Sequence, residues 1–524
     1  MKRSSWSTVF VCIAIATMLA FIEARPAFPD PDSFYHAKMA LEIRDHGFIH
    51  AFPWLQETVM RDRYVDAHWL YHVLLIPFVT IFDPLVGMKV SAALFGLVAF
   101  YALYRFLRSI DSPYPEWLTL VAALSFDFLQ RMSMPKAGSL SIALLMLGVW
   151  AMLKSRTRVL FAIAVLFVWL YHGWPVLVAA FVCFACGDLV ARRLVPSKPP
   201  SPLKGEGRGE VYALATALFL GLLAGTIANP YFPDSLTFIA LDIVKIAIAG
   251  GAHIPVGSEW SPVSWFVMFQ NDILAFCAFG LSVLLLVLSG ATRAFKLTGD
   301  KARNVFVPLL LSSIFAAFAV RSARYLEYVI PFLILTTGAI LSVAEPFLRQ
   351  EIVRFQAVAN GRKKSFVILA VVISLSVGCL AAGSVSYAQG RKGFFSASQY
   401  EGSAAWLKQN LAEGAIVFNA PWDMSLIYFY LDDQRYFLVG LDPRFMYDAD
   451  KERYQAWFDL QSGMDADISK VGAVFHASAI LVDKRLKGDF AKNIAASDLY
   501  EMAYEDEWIQ IYVPVKNMEN PPNG

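Results

Sequence analysis

Two acidic residues near the N-terminus, Asp30 and Asp32, precede an amphipathic stretch over residues 37–49 that is typical of a helix lying on a membrane surface. Two neighbouring carboxylates at such a surface can bind a divalent cation or accept a proton from a hydroxyl group. The alternative is that Asp32 caps the N-terminus of the helix that follows it. Because a capping carboxylate can also bind a ligand, the pattern favours a functional site here.

Four basic residues are candidates to hold a phosphate group. Arg321 and Arg324 follow one apolar run, and Arg131 and Lys136 lie between two others. A guanidinium group can bind phosphate in fork geometry, or it can extend to lipid headgroups. The residue types alone favour the second role. Asp127 lies four residues before Arg131, which predicts an ion pair between them on one helix.

Glu259 is a candidate for contact with a substrate. It is followed by Trp260 and, five residues later, by Trp265. A carboxylate flanked by interfacial tryptophans can hydrogen-bond the amide or hydroxyl group of a substrate, or it can be a hydrated loop residue between aromatic anchors. The residue types leave both interpretations open.

His68 and His72 have the i,i+4 spacing of a metal-binding pair on a helix. Trp69 and Tyr71 lie between them. This mixture of aromatic and amphipathic side chains favours a membrane-interface belt over a metal site.

The elements that position these residues belong to a membrane protein. Of 524 residues, 57% are hydrophobic and 17% are charged, and the mean hydropathy is +0.50, whereas about 25% of residues are charged in soluble domains. Apolar runs long enough to cross a ~30 Å hydrocarbon core predict a mostly α-helical, polytopic bundle of about eleven spans. The predicted spans are 6–22, 85–104, 116–130, 139–153, 158–172, 174–190, 211–228, 273–290, 305–320, 328–344 and 365–383. All five cysteines fall within these runs, so disulfide bonds are not expected.

The basic residues predict the orientation of the chain. With the N-terminus in the cytoplasm, each inner loop carries lysine or arginine, as the positive-inside rule requires. This topology needs residues 67–82 to lie at the interface or re-enter the membrane. It predicts a multi-pass protein of the plasma (inner) membrane whose C-terminal part is periplasmic or extracellular.

The same topology predicts the domain organisation. Residues 1–383 form a transmembrane domain with long outer loops at 23–83 and 229–272. The Pro- and Gly-rich segment 196–210 is predicted to be a disordered cytoplasmic linker. Residues 384–524 alternate short apolar runs with helical patterns, which predicts a soluble α/β domain. Its predicted strands are 416–419, 436–440 and 480–483, and its predicted helices are 403–411, 451–460 and 465–471.

In order and spacing, these motifs resemble those of the GT-C superfamily of polyprenyl-linked-sugar glycosyltransferases, and in particular the catalytic subunit of oligosaccharyltransferase. Residues 32–36 resemble the first-loop motif of the family, whose aspartate is a metal ligand, and His36 is a second candidate ligand here. Residues 258–265 are similar to the S-E-x-x-P-x-x-W loop, whose glutamate holds the acceptor amide. Arg324, seven residues before Pro331, matches the arginine that binds the lipid-linked pyrophosphate.

The C-terminal part carries a remnant of a further motif of the family. Trp422 and Asp423 resemble part of the W-W-D-Y-G acceptor-binding signature, but Pro421 replaces its first tryptophan.

The resemblance implies a divalent cation, Mg²⁺ or Mn²⁺. The second acidic metal motif expected after Arg131 is absent, however, and Lys136 stands in its place. A lysine can supply part of the charge of a metal ion, so Lys136 is a candidate replacement.

The resemblance therefore implies a membrane glycosyltransferase that moves a sugar or oligosaccharide from a polyprenyl phosphate or pyrophosphate carrier to an acceptor on the outer face. The expected partners are a polyprenyl-linked sugar donor, membrane lipid and an acceptor that is a protein, lipid or glycan, with no nucleic acid. A transporter or flippase of a lipid-linked glycan is the alternative, and it would place ionisable groups at mid-membrane depth.

For a glycosyltransferase, the resemblance implies these roles: catalysis by Asp32, Asp30 and Glu259; phosphate binding by Arg324, Arg321, Arg131 and Lys136; and acceptor binding by Trp422, Asp423 and Trp260.

Overall fold

The computed structural model describes residues 5–195, 208–242, 254, 257, 261–292, 297–358, 394–485 and 488–515. The predicted span 365–383, the predicted boundary at 383 and 384, and the candidate residues Glu259 and Trp260 lie outside these residues. Most of the predicted linker 196–210 also lies outside them, but its last three residues belong to a helix that begins at Arg208.

Helices dominate the first three quarters of the chain. Their apolar residues form long runs with few charges. Such runs suit a helix in a membrane, because a helix hydrogen-bonds its backbone N–H and C=O groups within the segment. In chain order the helices are α1 (Ser5–Glu23), α2 (Asp32–His46), α3 (Trp69–Ile81), α4 (Pro84–Ser109), α5 (Pro115–Ala123), α6 (Phe126–Ser133), α7 (Gly138–Leu153), α8 (Thr157–Leu170), α9 (Pro175–Leu194), α10 (Arg208–Ile227), α11 (Asp234–Asp242), α12 (Trp265–Asn271), α13 (Ile273–Ala291), α14 (Gly299–Ala319) and α15 (Leu326–Val358).

Six helices of the described chain are long and apolar enough to cross a membrane, or seven if the bent pair α6 and α7 forms one span. The six coincide with predicted spans at 85–104, 174–190, 211–228, 273–290, 305–320 and 328–344. The chain is thus a multi-pass membrane protein, whereas the count of about eleven stays a prediction. The predicted span 116–130 is broken, because α5 ends at Ala123 and α6 begins at Phe126. Helix α8 has 14 residues and extends about 21 Å, less than a ~30 Å hydrocarbon core.

The C-terminal residues form a small five-stranded sheet with flanking helices. The strand order is β2-β1-β3-β5-β4; β2, β1 and β3 are parallel, and β5 is antiparallel to β3 and β4. The strands are β1 (Ile416–Asn419), β2 (Tyr436–Phe437), β3 (Ala479–Asp483), β4 (Tyr500–Glu505) and β5 (Ile509–Pro514). The helices are α16 (Glu401–Asn410), α17 (Met424–Leu431), α18 (Arg444–Ala449), α19 (Lys451–Ser462), α20 (Ser469–Ala473) and α21 (Asp489–Ala495).

Sequence patterns located the buried strands but missed the hairpin. Strands β1 and β3 lie where they were predicted, while β2 is shorter than the predicted 436–440 and α20 lies later than the predicted 465–471. The hairpin β4–β5 was not predicted. Most side chains of β4 are exposed, so the strand lacks the apolar run that marks a buried one.

The chain divides into two compact units. The helical unit comprises Met1–Ala24, Lys89–Asn229 and Ser258–Lys392. The sheet unit comprises Arg25–Met88, Pro230–Gly257 and Gly393–Gly524, and so includes most of the loop predicted at 23–83 together with the C-terminal sheet. Within the sheet unit, α2 packs against both α3 and α17. The core beneath the sheet contains Trp457, whose indole N–H donates to the carbonyl oxygen of Asn419 at 3.0 Å.

Candidate functional site

Arg131 and Glu327 form a buried ion pair in the helical unit. Arg131 lies in the last turn of α6, and its Nε and Nη2 donate to Glu327 Oε2 at 2.9 and 2.8 Å. Glu327 lies in the first turn of α15 with 1% of its side chain exposed. Its Oε1 has no hydrogen-bond partner among the described residues. Arg131 therefore compensates a buried charge rather than extending to lipid.

The predicted ion pair between Asp127 and Arg131 is wrong. Asp127 Oδ1 accepts a hydrogen bond from the amide of Asn271 at 3.0 Å, and its backbone N–H donates to Asp272 Oδ1 at 3.2 Å. Asp272 is 1% exposed. Arg131 pairs with Glu327 instead, while Asp127 is held by hydrogen bonds to Asn271 and Asp272.

Arg324 approaches the same end of α15. It lies in a 3-10 turn, residues Ala323–Tyr325, directly before this helix. Its Nη2 and Nε donate to the hydroxyl of Tyr171 at 2.7 and 3.2 Å, and its guanidinium group lies 5.8 Å from the centre of that ring. Arg321, three residues earlier, is exposed.

Lys136 occupies the break between α6 and α7, which are bent by 111° relative to each other. Helix α7 begins two residues later at Gly138, where an added Cβ would lie 3.6 Å from a carboxylate oxygen of Glu327. Ser139, in the first turn of α7, is buried, and its hydroxyl has no hydrogen-bond partner among the described residues. The N-terminus of a 16-residue helix thus faces the Arg131–Glu327 pair. Helix N-termini attract anions through their free N–H groups and their dipole.

In the sheet unit, Asp30 rather than Asp32 caps α2. Asp30 Oδ1 accepts a hydrogen bond at 2.7 Å from the backbone N–H of Asp32, which is the first residue of the helix. The alternative in which Asp32 itself is the cap is therefore wrong. The catalytic role predicted for Asp30 stays a prediction, and its observed contact is structural.

Replacing Asp30 with alanine should lower the free energy of unfolding by about 1 kcal/mol, because the N–H of Asp32 loses its acceptor. Asp30→Asn keeps an acceptor oxygen and should restore most of the stability. Chemical unfolding of the detergent-solubilised protein measures both. If alanine and asparagine destabilise the protein equally, the bond from Asp30 to Asp32 does not stabilise it.

Asp423 lies at the carboxyl end of β1, directly before α17. The pKa of its carboxyl group is raised from 3.8 to about 6, chiefly by burial and also by the negative charges of Asp30 and Asp483, while a backbone hydrogen bond and the charge of Arg485 lower it. The charge of Asp30 thus acts on Asp423, although the two residues were predicted separately from distant segments. Trp422 is partly buried and packs against the core beneath the sheet.

Asp423 should make stability depend on pH. The folded-state pKa of about 6 lies above the ordinary value of 3.8, so the folded state holds more protons between these values and stability falls as pH rises through this window. The loss is at most ~3 kcal/mol. Asp423→Asn should therefore be more stable than the wild type at pH 7.5 and similar to it below pH 4. Thermal unfolding at both pH values measures the difference, and an equal difference at both would contradict the assignment.

A chain of buried hydrogen bonds joins Asp66, His72 and His36. Asp66 Oδ2 lies 2.6 Å from His72 Nδ1, and His72 Nε2 lies 2.7 Å from His36 Nδ1. Their exposed fractions are 1%, 0% and 4%. The prediction that His72 belongs to an interfacial belt is wrong, because packing of α3 against α2 encloses its ring.

Sequence reasoning missed Glu327, Asp272 and Asp66. The available signal for the first two was a single acidic residue bordering an apolar run, which often marks a polar group inside a membrane protein. Within the described part of the chain, no group of three or more His, Cys, Asp or Glu side chains is arranged to hold a metal ion. The Mg²⁺ or Mn²⁺ implied by the resemblance, with Asp32 and His36 as ligands, stays a prediction.

Comparison with solved structures identifies the class of fold. The chain matches the oligosaccharyltransferase AglB from Archaeoglobus fulgidus in complex with an inhibitory peptide and a dolichol-phosphate, with a TM-score of 0.58, 11% identity, and coverage of 99% of this chain and 76% of that one. It matches ArnT from Cupriavidus metallidurans bound to undecaprenyl phosphate with a TM-score of 0.55, 14% identity and coverage of 99% and 100%. It matches the arabinofuranosyltransferase AftD from Mycobacteria with a TM-score of 0.52 and 15% identity, covering 97% of this chain and 41% of that one.

These three proteins are GT-C glycosyltransferases, and the chain has their fold. The predicted resemblance is thus confirmed at the level of the fold. No protein-family model matches the sequence, and no curated protein matches it significantly.

Proposed function

We propose that this protein is a membrane glycosyltransferase that moves a sugar or oligosaccharide from a polyprenyl phosphate or pyrophosphate carrier to an acceptor on the outer face of the plasma membrane. The N-terminus is cytoplasmic in this proposal, and residues 384–524 face the periplasm or the extracellular side. Two proteins of the same fold were solved with dolichol-phosphate and with undecaprenyl phosphate. Those ligands support a carrier of this class.

The observation that carries the proposal is the group of anion-binding features at the start of α15. Arg324 directly precedes the helix, and Arg131 pairs with its first turn. The N-terminus of α7 lies beside that pair, and Lys136 is two residues before the first residue of this helix. A departing carrier phosphate gains negative charge as the bond to the sugar breaks, and preorganised cations and N–H dipoles stabilise that charge.

In the sheet unit, Asp32 is the proposed metal ligand or proton acceptor, with Mg²⁺ or Mn²⁺ as the cation. Asp423 and Trp422, together with Glu259 and Trp260, are the proposed contacts to the acceptor. The capping bond from Asp30 leaves α2 ordered without using the carboxylate of Asp32 as the cap. This division of roles supports a functional assignment for Asp32.

A transporter or flippase of a lipid-linked glycan is the second candidate. Asp127, Asp272 and Glu327 are buried acidic residues of the helical unit, and transporters often use such groups. The two functions differ in chemistry, because only a transferase breaks the bond between sugar and carrier.

The decisive experiment uses the protein in detergent, where transport across a membrane cannot contribute to the signal. The purified protein in detergent is mixed with lipid extract from a host that lacks the gene, and release of free polyprenyl phosphate or pyrophosphate is measured by mass spectrometry. A transferase releases the carrier when an extract of host surface acceptors is added. No release with any acceptor fraction, combined with loss of surface glycan in the deleted host, would support the flippase instead.

Variants of Arg324 test the phosphate assignment within this assay. Arg324→Gln should lower the release of carrier by about 10²–10³-fold, because one preorganised donor is lost. Tyr171→Phe removes only the hydroxyl that Arg324 contacts, and Arg349→Gln changes an arginine of α15 whose side chain is 76% exposed. Both controls should retain most of the activity.

A further inference from the structure

Arg485 is held in one orientation at the carboxyl end of β3. Its Nε donates to the two carboxylate oxygens of Asp483 at 2.9 and 3.0 Å, and its Nη2 donates to Asp483 Oδ2 and to the hydroxyl of Tyr400. The guanidinium group also lies 5.6–5.7 Å from the ring centres of Phe395, Tyr400 and Trp508. A side chain held in this way loses little conformational freedom when a ligand binds to it.

The Nη1 group of Arg485 is left for a ligand. A guanidinium group has five N–H donors in one plane. Those on Nε and Nη2 are used, whereas Nη1 has no acceptor within the described part of the chain. The side chain of Arg485 is 29% exposed and that of Asp483 is 4% exposed. The carboxylate that holds Arg485 is therefore buried, while the guanidinium group itself is accessible.

The connections of the sheet place Arg485 where α/β sheets bind their ligands. After β1 the chain leads to β2 on one side, and after β3 it leads to the hairpin β4–β5 on the other side. Ligands of open α/β sheets bind outside the carboxyl ends of two such neighbouring strands. Asp423 follows β1 and Arg485 follows β3, and the charge of Arg485 acts on Asp423. A carboxyl group and a guanidinium group thus lie together at this end of the sheet.

The charges at this end of the sheet favour an uncharged ligand. Asp483 compensates Arg485, and the carboxyl groups of Asp30 and Asp423 add negative charge, so a phosphate or carboxylate group would be repelled. A hydroxyl group is uncharged, and it can accept from Nη1 and donate to a carboxylate. Asp423 and Trp508 are each partly exposed, and an indole offers an apolar surface beside these polar groups. Neutral sugars combine hydroxyl groups with apolar C–H faces and match both features.

We propose that Arg485 binds hydroxyl groups of a neutral glycan, and that the acceptor of the transferase is such a glycan rather than a peptide or an anionic lipid. Arg485 is then a substrate-binding residue in addition to Asp423. The role of the glycan as acceptor rests on the proposed function. Binding of the glycan does not require transfer and can be measured separately.

Retention of envelope glycans tests the proposal without transfer. Oligosaccharides released from the envelope of the host are separated into a neutral and an acidic fraction, and a peptide digest of envelope proteins is the third probe. The full-length protein in detergent is immobilised, and the molecules that it retains are measured by mass spectrometry. The expected result is retention of the neutral fraction. Preference for the acidic fraction or for the peptides, or retention of none of the three, overturns the inference.

Arg485→Lys tests whether the neutral fraction binds through this residue. Lysine keeps a positive charge beside Asp483 but lacks Nη1, so the affinity should fall roughly 10- to 100-fold, as expected when hydrogen bonds from a charged donor are lost. Arg444→Lys is the matched control and should retain most of the affinity. Arg444 pairs in the same way with Asp442, also two residues before it, and its side chain is 20% exposed. Equal losses in both variants would show that shortening a paired arginine disturbs the sheet unit, and would overturn the role of Arg485.

The outcomes separate this inference from the proposed function. If the protein releases carrier but Arg485→Lys retains the neutral fraction as the wild type does, the role of Arg485 is wrong while the transferase assignment stands. If Arg485 is needed for retention but no carrier is released, the proposed function fails and the glycan site stands. If Arg485→Lys does not fold, hydrogen–deuterium exchange of the wild type supplies the measurement. The neutral fraction should slow exchange around Arg485 and Trp508, and unchanged exchange there overturns the inference.

Discussion

Replacing Arg131 with methionine will destabilise the protein by about 3–5 kcal/mol, because it leaves the carboxylate of Glu327 buried without a cation. Glu327 is 1% exposed, and its Oε2 accepts hydrogen bonds from Nε and Nη2 of Arg131. Burial without compensation is costly for an ionised group, whereas an apolar pair of similar volume is tolerated. The double variant Arg131→Met with Glu327→Met should therefore recover most of the stability. Titration with sodium dodecyl sulfate in mixed micelles measures the free energies.

The pair Arg349 and Glu345 is the matched control for this prediction. It lies on the same helix, α15, but the side chain of Arg349 is 76% exposed. Arg349→Met should change stability by less than about 1 kcal/mol, because water solvates both charges. A double variant no more stable than Arg131→Met alone would show that the cost arises from lost packing and not from an unpaired charge.

Replacing Asp32 with asparagine will lower transfer of the sugar by about 10²–10⁴-fold, the range expected when a group that handles a proton is removed. A metal ligand would cause a similar loss, and added Mn²⁺ at high concentration would then recover part of the activity. Stability should change by less than about 1 kcal/mol, because Asp30 rather than Asp32 caps the helix. Release of free carrier from host lipid extract measures the activity.

A variant of the same loop serves as the control for Asp32. Asp62→Asn alters an exposed carboxylate that pairs with Arg61. It should keep most of the wild-type rate. Wild-type activity in Asp32→Asn would remove Asp32 from the reaction and leave His36 as the remaining polar candidate on that face of α2.

The residue sequence determined the class of this protein. Long apolar runs require internally satisfied backbone hydrogen bonds, so they specified most of the described helices and the membrane environment. The buried strands β1 and β3 were equally evident, because each is a short run of apolar residues between helices. The spacing of Asp32, Arg324 and Asp423 was sufficient to indicate the GT-C resemblance, which the fold confirms.

Only the tertiary structure decided which side chains are partners. Local spacing favoured Asp127 for Arg131, but Glu327, 196 residues away, supplies the bond. The sequence did not indicate Asp66, and it gave His72 and His36 other roles, because only folding joins the three buried side chains by hydrogen bonds. Periodicity reports which face of an element is apolar, whereas the choice of a polar partner depends on desolvation and on contacts between distant segments. Desolvation of a side chain and its contacts with distant segments arise only when the helices pack together.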